Sequence, residues 1–182
     1  LRPAQAGTVS IKGKPLAGWP PGELARLRGL LPQTQHDAFS AAALEVVLLG
    51  RHPHLGRWAW ESAADRRVAR AALQSMDLET LADHDVTTLS GGERQRVGIA
   101  ALLAQDPPLL LLDEPVAHLD LHHQVPVLNH LRRLPRERGR AIVMSIHDLN
   151  LAARFATHAL VLGPGAMLRQ GPAESTMNEV VL

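Results

Sequence analysis

The chain has 182 residues, a length that accommodates one domain with a subdomain inserted into it. Hydrophobic residues make up 46 %, enough for a sizeable core, whereas a net charge of +1 and 3 % aromatic residues argue against a nucleic-acid partner. The lack of cysteine excludes a disulfide scaffold and a thiolate metal site, and no apolar run is long enough to cross a bilayer.

Residues 1–39 are predicted to form a β remnant that ends in a loop. Apolar and polar residues alternate over 7–16 and a Gly and a Pro favour a turn there, so this stretch is predicted to be an edge hairpin. A short helix over 21–29 and an apolar strand over 29–33 follow.

Residues 40–88 are predicted to be a mostly helical insert. The apolar spacing indicates a helix over 40–51, which a loop follows. Ser62 and Asp65 have the spacing of a capping box, so a second helix is expected to begin there. The expected apolar stripe of that helix consists of Val68, Ala72 and Met76.

From residue 89 to residue 182 helices and strands alternate, a pattern typical of a parallel sheet flanked by helices. Helices are predicted over 91–105, near 120–134 and over 148–156, strands over 109–113, 141–147 and 159–163, and a terminal hairpin over 163–171. The strand at 109–113 is apolar throughout and is expected to be buried on both faces. Pro126 means that the second helix either begins near residue 124 or is kinked.

Four polar residues are candidates for chemistry because they lie at, or just after, the carboxyl ends of predicted strands. Ligands bind outside the carboxyl ends of the strands in open α/β sheets. There, Asp113 could hold Mg²⁺ and Glu114 could deprotonate a water, although two solvated acids would also fit. His147 ends the next strand and could contact a phosphate and the same water, or could be a lone surface histidine, one of ten in the chain. Gln33 could ligate Mg²⁺, or could be an ordinary loop amide.

The stretch Ser90-Gly91-Gly92 opens a predicted helix. Ser90 and Glu93 have capping-box spacing, which explains both residues without any function. It does not explain the two glycines, which cost helix stability. Their missing Cβ atoms would let a phosphate approach the free amides and the positive end of the helix dipole, so an anion site is the preferred interpretation.

In this order, the motifs resemble those of the ATPase subunit of an ATP-binding cassette (ABC) transporter. The matching stretches are "PQ" at 32–33 (Q-loop), "LSGGERQR" at 89–96 (signature), "LLLLDEP" at 109–115 (Walker B), "HLD" at 118–120 (D-loop) and "SIHD" at 145–148 (switch histidine). The resemblance covers nearly the whole chain. It implies a P-loop NTPase-like fold, with ATP and Mg²⁺ as ligands.

The resemblance also assigns roles to single residues. Family members form head-to-tail dimers, in which the signature of one subunit caps ATP that its partner holds. Ser90, Gly91 and Gly92 would contact the γ-phosphate in the partner's site, and Asp120 would cross the interface. The residues that would serve the chain's own site are Gln33 and Asp113 for Mg²⁺ and Glu114 and His147 for catalysis.

One family motif is not found. ATP binding in the family requires G-x-x-x-x-G-K-[ST], whereas Gly13-Lys14 is followed by Pro15, and Thr8 occupies the position of the first glycine. We therefore expect a chain truncated ahead of Leu1 that hydrolyses ATP poorly or not at all.

Three stretches narrow the resemblance to importer ATPases for iron-siderophore, haem and vitamin B12. They are residues 45–56, 119–124 and 147–171. This branch implies a homodimer on the cytoplasmic face of the bacterial inner membrane. Its partners would be two permease subunits, on which 40–88 would dock, and indirectly a periplasmic binding protein.

Two alternatives stay open. The first is a soluble ABC ATPase without a transport role, although such proteins usually carry a second cassette, zinc fingers or a coiled coil, none of which is visible here. The second is a catalytically deficient partner that supplies only its signature, which the missing phosphate loop would suit and which Glu114 and His147 argue against.

Overall fold

The computed structural model describes residues 6–33, 40–56, 58–163 and 166–178. The helices are α1 (Pro21–Leu27), α2 (Ala43–Leu49), α3 (Ala63–Gln74), α4 (Gly91–Gln105), α5 (Leu121–Arg138), α6 (Leu149–Phe155) and α7 (Ala173–Asn178). The strands are β1 (Ser10–Ile11), β2 (Lys14–Pro15), β3 (Arg28–Leu31), β4 (Leu109–Leu112), β5 (Ala141–Met144), β6 (His158–Gly163) and β7 (Ala166–Pro172).

A three-stranded parallel sheet of β3, β4 and β5, in that order, forms the centre of the fold. Leu31 is in register with Leu112, and Leu112 with Met144, so the three strands end together. The chain is therefore an α/β protein with a parallel sheet and helices, as predicted. Two antiparallel hairpins accompany this sheet, and β1–β2 lies where a hairpin was predicted. The second differs from the prediction, because the 159–163 strand pairs antiparallel with β7 in a sheet of its own instead of joining the parallel sheet.

The two faces of the central sheet differ in burial. Leu110 and Leu112 are buried on one face, in the same core as helices α4 and α5. On the other face Leu30 is 45 % exposed and Val143 is 60 % exposed. The prediction that the 109–113 strand is buried on both faces is therefore wrong for one face, because the described residues leave that face partly open.

Helices α2, α3 and α4 pack against one another. Ser62 and Asp65 form the predicted capping box at the start of α3. The predicted stripe is correct for Ala72 and Met76 but wrong for Val68, which is exposed. The buried side of α3 instead includes Asp65, because this carboxylate pairs with Arg51 at 2.9 Å.

Helix α5 begins at Leu121, which excludes the predicted alternative of a start near residue 124. Pro126 and Pro135 both lie inside the helix, and both are exposed. Each proline removes one backbone hydrogen bond, but an exposed ring disturbs no core contact. The helix therefore runs past the predicted end to Arg138, and the following Gly139 adopts a φ of 62°.

Among the described helices, none has the length and apolarity that a membrane span requires.

Candidate functional site

The carboxyl ends of the three central strands share one edge, and backbone hydrogen bonds extend the pairing beyond it. The Asp113 amide donates to the Leu31 carbonyl at 2.9 Å, and the Ser145 amide donates to the Leu112 carbonyl at 3.0 Å. The first residues after β4 and β5 are therefore held side by side. Parallel strands make this edge the usual ligand side of an α/β sheet.

A chain of three hydrogen bonds joins the polar groups at this edge. The Ser145 hydroxyl donates to Asp113 Oδ1 at 2.6 Å and accepts from the Glu114 amide at 2.8 Å. His147 Nε2 lies 2.5 Å from Glu114 Oε1. The structure thus brings together Asp113, Glu114 and His147, and Ser145 links the two acidic positions.

Sequence reasoning did not single out Ser145. The available signal was its position, since it directly follows the strand that pairs with β4 and so lies opposite Asp113. That signal depends on knowing the strand register, which the sequence pattern alone does not supply.

Glu114 and His147 differ sharply in solvent exposure. The Glu114 side chain is 16 % exposed, whereas the His147 side chain is 83 % exposed. Both line a cavity of about 150 Å³, together with Gln124 and Ser145. Glu114 has a φ of 48°, a left-handed conformation that non-glycine residues rarely adopt and that often marks functional sites. The arrangement can place a carboxylate and an imidazole on one small polar ligand or water.

Ser90 is the N-cap of α4, and it is exposed. Its hydroxyl donates to Glu93 Oε2 at 2.7 Å, and its amide donates to the same oxygen at 2.8 Å. These bonds, the hydroxyl bond first, lower the pKa of the Glu93 carboxyl. A Cβ atom on Gly91 would meet open space, so a ligand can reach the backbone there.

Gly92 has a reason for its small size within the chain. A Cβ atom at this position would lie 3.2 Å from the carbonyl oxygen of His118 and 3.4 Å from a methyl group of Leu119. The loop after Walker B therefore packs closely on the first turn of α4. Both glycines were predicted to give an external ligand access to the backbone. For Gly92 the close contact with His118 and Leu119 is a further reason why a side chain is not accommodated.

Asp120 caps its own helix. Its Oδ1 accepts from the His123 amide at 3.0 Å and lies 2.8 Å from His123 Nδ1. The bond to the His123 side chain, followed by the bond to its amide, lowers the pKa of the Asp120 carboxyl. The side chain is nevertheless mostly exposed and can be approached from outside.

Gln33 lies two residues beyond β3, is exposed, and adjoins residues 34–39, which are outside the described part of the chain. Among the residues that the structure describes, no three His, Asp or Glu side chains are arranged to hold a metal ion. The donor set of Asp113 and Gln33 still suits Mg²⁺, a hard cation that typically takes one or two carboxylates and fills its shell with waters and phosphate oxygens.

A parallel sheet flanked by helices, with acidic residues and an imidazole at its carboxyl edge, matches the fold of the P-loop NTPase class. The family profile described as "ABC transporter" matches residues 1–117. The chain belongs to the ABC transporter family, as the ATPase domain.

Curated relatives come from iron and haem import. The chain is 40 % identical over 179 residues to the iron(3+)-hydroxamate import ATP-binding protein FhuC of Bacillus subtilis, covering 98 % of the chain and 66 % of the relative. It is 44 % identical over 178 residues to the hemin import ATP-binding protein HmuV of Burkholderia pseudomallei, covering 92 % and 65 %. The chain thus spans just under two-thirds of the length of these two relatives.

Solved structures agree with this assignment. A metal-chelate type ABC transporter in an inward-facing conformation superposes with a TM-score of 0.75 at 34 % identity, covering 82 % of this chain and 59 % of that one. A dimeric bacterial ABC transporter cassette superposes with a TM-score of 0.81 at 30 % identity, covering 93 % and 75 %. The same cassette has been solved as a post-hydrolysis dimer bound to ADP and phosphate.

Proposed function

We propose that the chain is part of an ATP-hydrolysing subunit that energises the import of an iron chelate, haem or vitamin B12 across the bacterial inner membrane. The observation that carries this proposal is the contact of Glu114 with His147 beside Asp113 at the carboxyl edge of the sheet. The names of the relatives support an iron or haem cargo. Vitamin B12 rests on the motif resemblance alone.

Glu114 is the general base in this proposal. Its carboxylate is largely shielded from solvent and held by the imidazole of His147, so it can take a proton from a water bound in the adjoining cavity. His147 is exposed and able to contact a phosphate from the other side. Asp113 and Gln33 would hold Mg²⁺, which neutralises phosphate charge when it is bound.

The complete site in this proposal needs a second copy of the chain. Ser90 and Gly91 are exposed at the start of α4, and a Cβ atom on Gly91 would meet open space, so a phosphate held by the partner can approach the first turn of the helix. Gly92 and Asp120 would complete the same interface. The dimeric cassette among the similar structures supports a homodimer.

The remaining partners and the domain division are also proposals. Residues 1–39 would form the β remnant with the Q-loop, 40–88 the helical subdomain that docks on a permease, and 89–182 the catalytic core. Two permease subunits and, through them, a periplasmic binding protein would complete the importer on the cytoplasmic face of the membrane.

The chain itself contains no G-x-x-x-x-G-K-[ST] motif, so we expect it to bind Mg-ATP weakly. Several charge-assisted hydrogen bonds of about 1.5–3 kcal/mol each are missing without that loop. Isothermal titration of the 182 residues should therefore give no micromolar binding. A chimera that carries the N-terminal segment of B. pseudomallei HmuV ahead of the chain should bind Mg-ATP and hydrolyse it.

The chimera also tests the proposed catalytic residues. Glu114→Gln should lower the turnover number by about 10²–10⁴-fold, the usual contribution of a general base, and leave ATP affinity nearly unchanged. His147→Ala should lower turnover too, whereas His158→Ala, an exposed histidine on β6, should not. A Glu114→Gln chimera with full turnover would contradict the proposal.

The missing phosphate loop favours one second candidate, a partner subunit that supplies only its signature. In that case the 182-residue chain would raise the ATPase rate of a signature-deficient HmuV when mixed with it, through Ser90. Glu114→Gln in the chain would then have no effect on the rate.

A further inference from the structure

Helix α4 buries two neighbouring polar side chains, Gln95 at 4 % exposure and Arg96 at 8 %. Each donates to a backbone carbonyl of another segment. Gln95 Nε2 donates to the Pro115 carbonyl at 3.2 Å, and Arg96 Nη1 donates to the Met76 carbonyl just beyond α3 at 2.9 Å. A buried polar group is costly unless it is hydrogen-bonded, so the two bonds hold α4 to two different parts of the molecule.

The carbonyl that Gln95 contacts belongs to the turn that carries Glu114. Pro115 directly follows Glu114, and its side chain is fully buried. The turn is closed by a hydrogen bond from the Ala117 amide to the Glu114 carbonyl at 3.2 Å. Glu114 keeps its left-handed backbone in this turn. An unusual backbone persists only where its surroundings hold it, and Gln95 is one of the groups that does so.

A second contact joins the same two segments. Gly92 lies against the His118 carbonyl and Leu119, three to four residues further along the loop from Pro115. The helix from Ser90 to Gln95 is therefore supported at two points on the loop that begins at Asp113. Five residues of helix rise only about 7.5 Å, so the start of α4 and the Glu114 turn are connected over a short, rigid path.

We propose that Gln95 is a positioning residue that couples the exposed start of α4 to the placement of the Glu114 carboxylate. A displacement of α4, such as one caused by an anion drawn onto Ser90 and Gly91, then moves Glu114 through the Pro115 carbonyl. The coupling itself does not depend on ATP hydrolysis, but its biological role rests on the proposed function. In that case α4 of one chain contacts the nucleotide bound by its partner, and Gln95 links that contact to the general base at the chain's own nucleotide.

The test measures amide hydrogen exchange by NMR in the 182-residue chain without nucleotide. Gln95→Met keeps the length of the side chain and removes the donor. It should speed exchange of the Glu114 amide by roughly tenfold, the order that an ordinary hydrogen bond contributes, and shift the His147 ring resonances. Exchange of the Leu110 amide in the central strand reports global unfolding. The change in its logarithmic exchange rate is subtracted from that of the Glu114 amide before the variants are compared.

Arg96→Met is the matched control, because it removes the neighbouring buried donor on the same helix. It should speed exchange at Met76 and leave Glu114 and the His147 ring unchanged. If Gln95→Met alters only global stability, or if both variants loosen Glu114 equally, Gln95 is merely a structural residue and the proposal fails. Should Gln95→Met not fold, Gln95→Glu, which replaces the donor by an isosteric carboxylate, is assessed by the same criteria.

A second measurement tests the coupling itself. Ser90→Ala removes the cap at the start of α4 and should shift the Glu114 amide resonance in the otherwise unchanged chain. In the Gln95→Met background the same substitution should shift that resonance clearly less, since only the Gly92 contact then joins the two segments. An equal shift in both backgrounds would overturn the coupling. Neither measurement needs ATP turnover, so a failed ATPase proposal and a failed coupling give different results.

Discussion

Glu114 combines two unfavourable features at a single residue. Its backbone is left-handed at a φ of 48°, and its carboxylate is mostly removed from solvent. The Ser145 hydroxyl on its amide and His147 on its carboxylate offset both costs. The residue that is proposed to do the chemistry is therefore the one that its surroundings must hold most firmly.

The backbone cost can be measured separately from the lost contacts. Glu114→Ala and Glu114→Gly both remove the carboxylate, but only alanine keeps a Cβ in the left-handed conformation, which costs roughly 1–2 kcal/mol. Glu114→Gly should therefore be more stable to urea than Glu114→Ala by about 1 kcal/mol. At the exposed Ala71 in the middle of α3 the order should reverse, since glycine there costs about 0.5–1 kcal/mol relative to alanine. An Ala variant at 114 as stable as the Gly variant would mean that the turn carries no strain.

Among the elements, α3 depends on one carboxylate for both its start and its packing. Asp65 accepts from the Ser62 hydroxyl and amide, and it pairs with Arg51, whose Nη1 also donates to the Ala104 carbonyl at the end of α4. The hydrogen bond from the Ser62 hydroxyl, then that from Arg51, holds the pKa of the Asp65 carboxyl well below its usual value. Protonation of Asp65 thus weakens α3 and its attachment to α4 together.

This depressed pKa predicts how stability depends on pH. A carboxyl with a lower pKa in the folded state contributes stability above its unfolded pKa, and that contribution is lost as the pH falls through the folded pKa. The difference in free energy of unfolding between the wild type and Asp65→Asn should therefore be largest near pH 6 and shrink steadily below about pH 4. Urea titrations between pH 6 and pH 3 measure it. Gln74→Ala, an exposed position at the end of α3 that carries no titrating group, should show no such trend.

How far each element could be predicted depended on the range of the interactions that fix it. The capping boxes of α3 and α4 are local and were predicted at the correct serines. The length of α5 was not predicted correctly, because the sequence does not show that Pro126 and Pro135 are exposed to solvent. The exposure of Val143 and the role of Ser145 depend on packing and strand register across the sheet, which a single sequence does not specify.

At the scale of the whole molecule, three pairs of apolar residues are exposed among the described residues, besides single ones such as Leu49 and Leu121. Leu30 and Val143 lie on the open face of the central sheet, Leu160 and Leu162 on β6, and Trp58 and Trp60 on the loop before α3. Surfaces of this kind usually mark sites of interaction or of aggregation. The central sheet also carries the candidate site at its carboxyl edge. We therefore expect that a segment which completes the nucleotide site also covers the open face of this sheet.

The HmuV chimera tests this link through a hydrophobic dye. The 182-residue chain should bind 8-anilinonaphthalene-1-sulfonate and self-associate at raised concentration, because apolar sheet residues stay in contact with water. The chimera should bind clearly less dye if the added segment packs on the open face. Leu30→Thr with Val143→Thr should lower dye binding by the chain and abolish most of the difference from the chimera, whereas Trp58→Ser with Trp60→Ser should leave that difference intact. A chimera that hydrolyses ATP while binding as much dye as the chain would contradict this link, because it would show that the nucleotide site can be completed while the open face of the sheet stays uncovered.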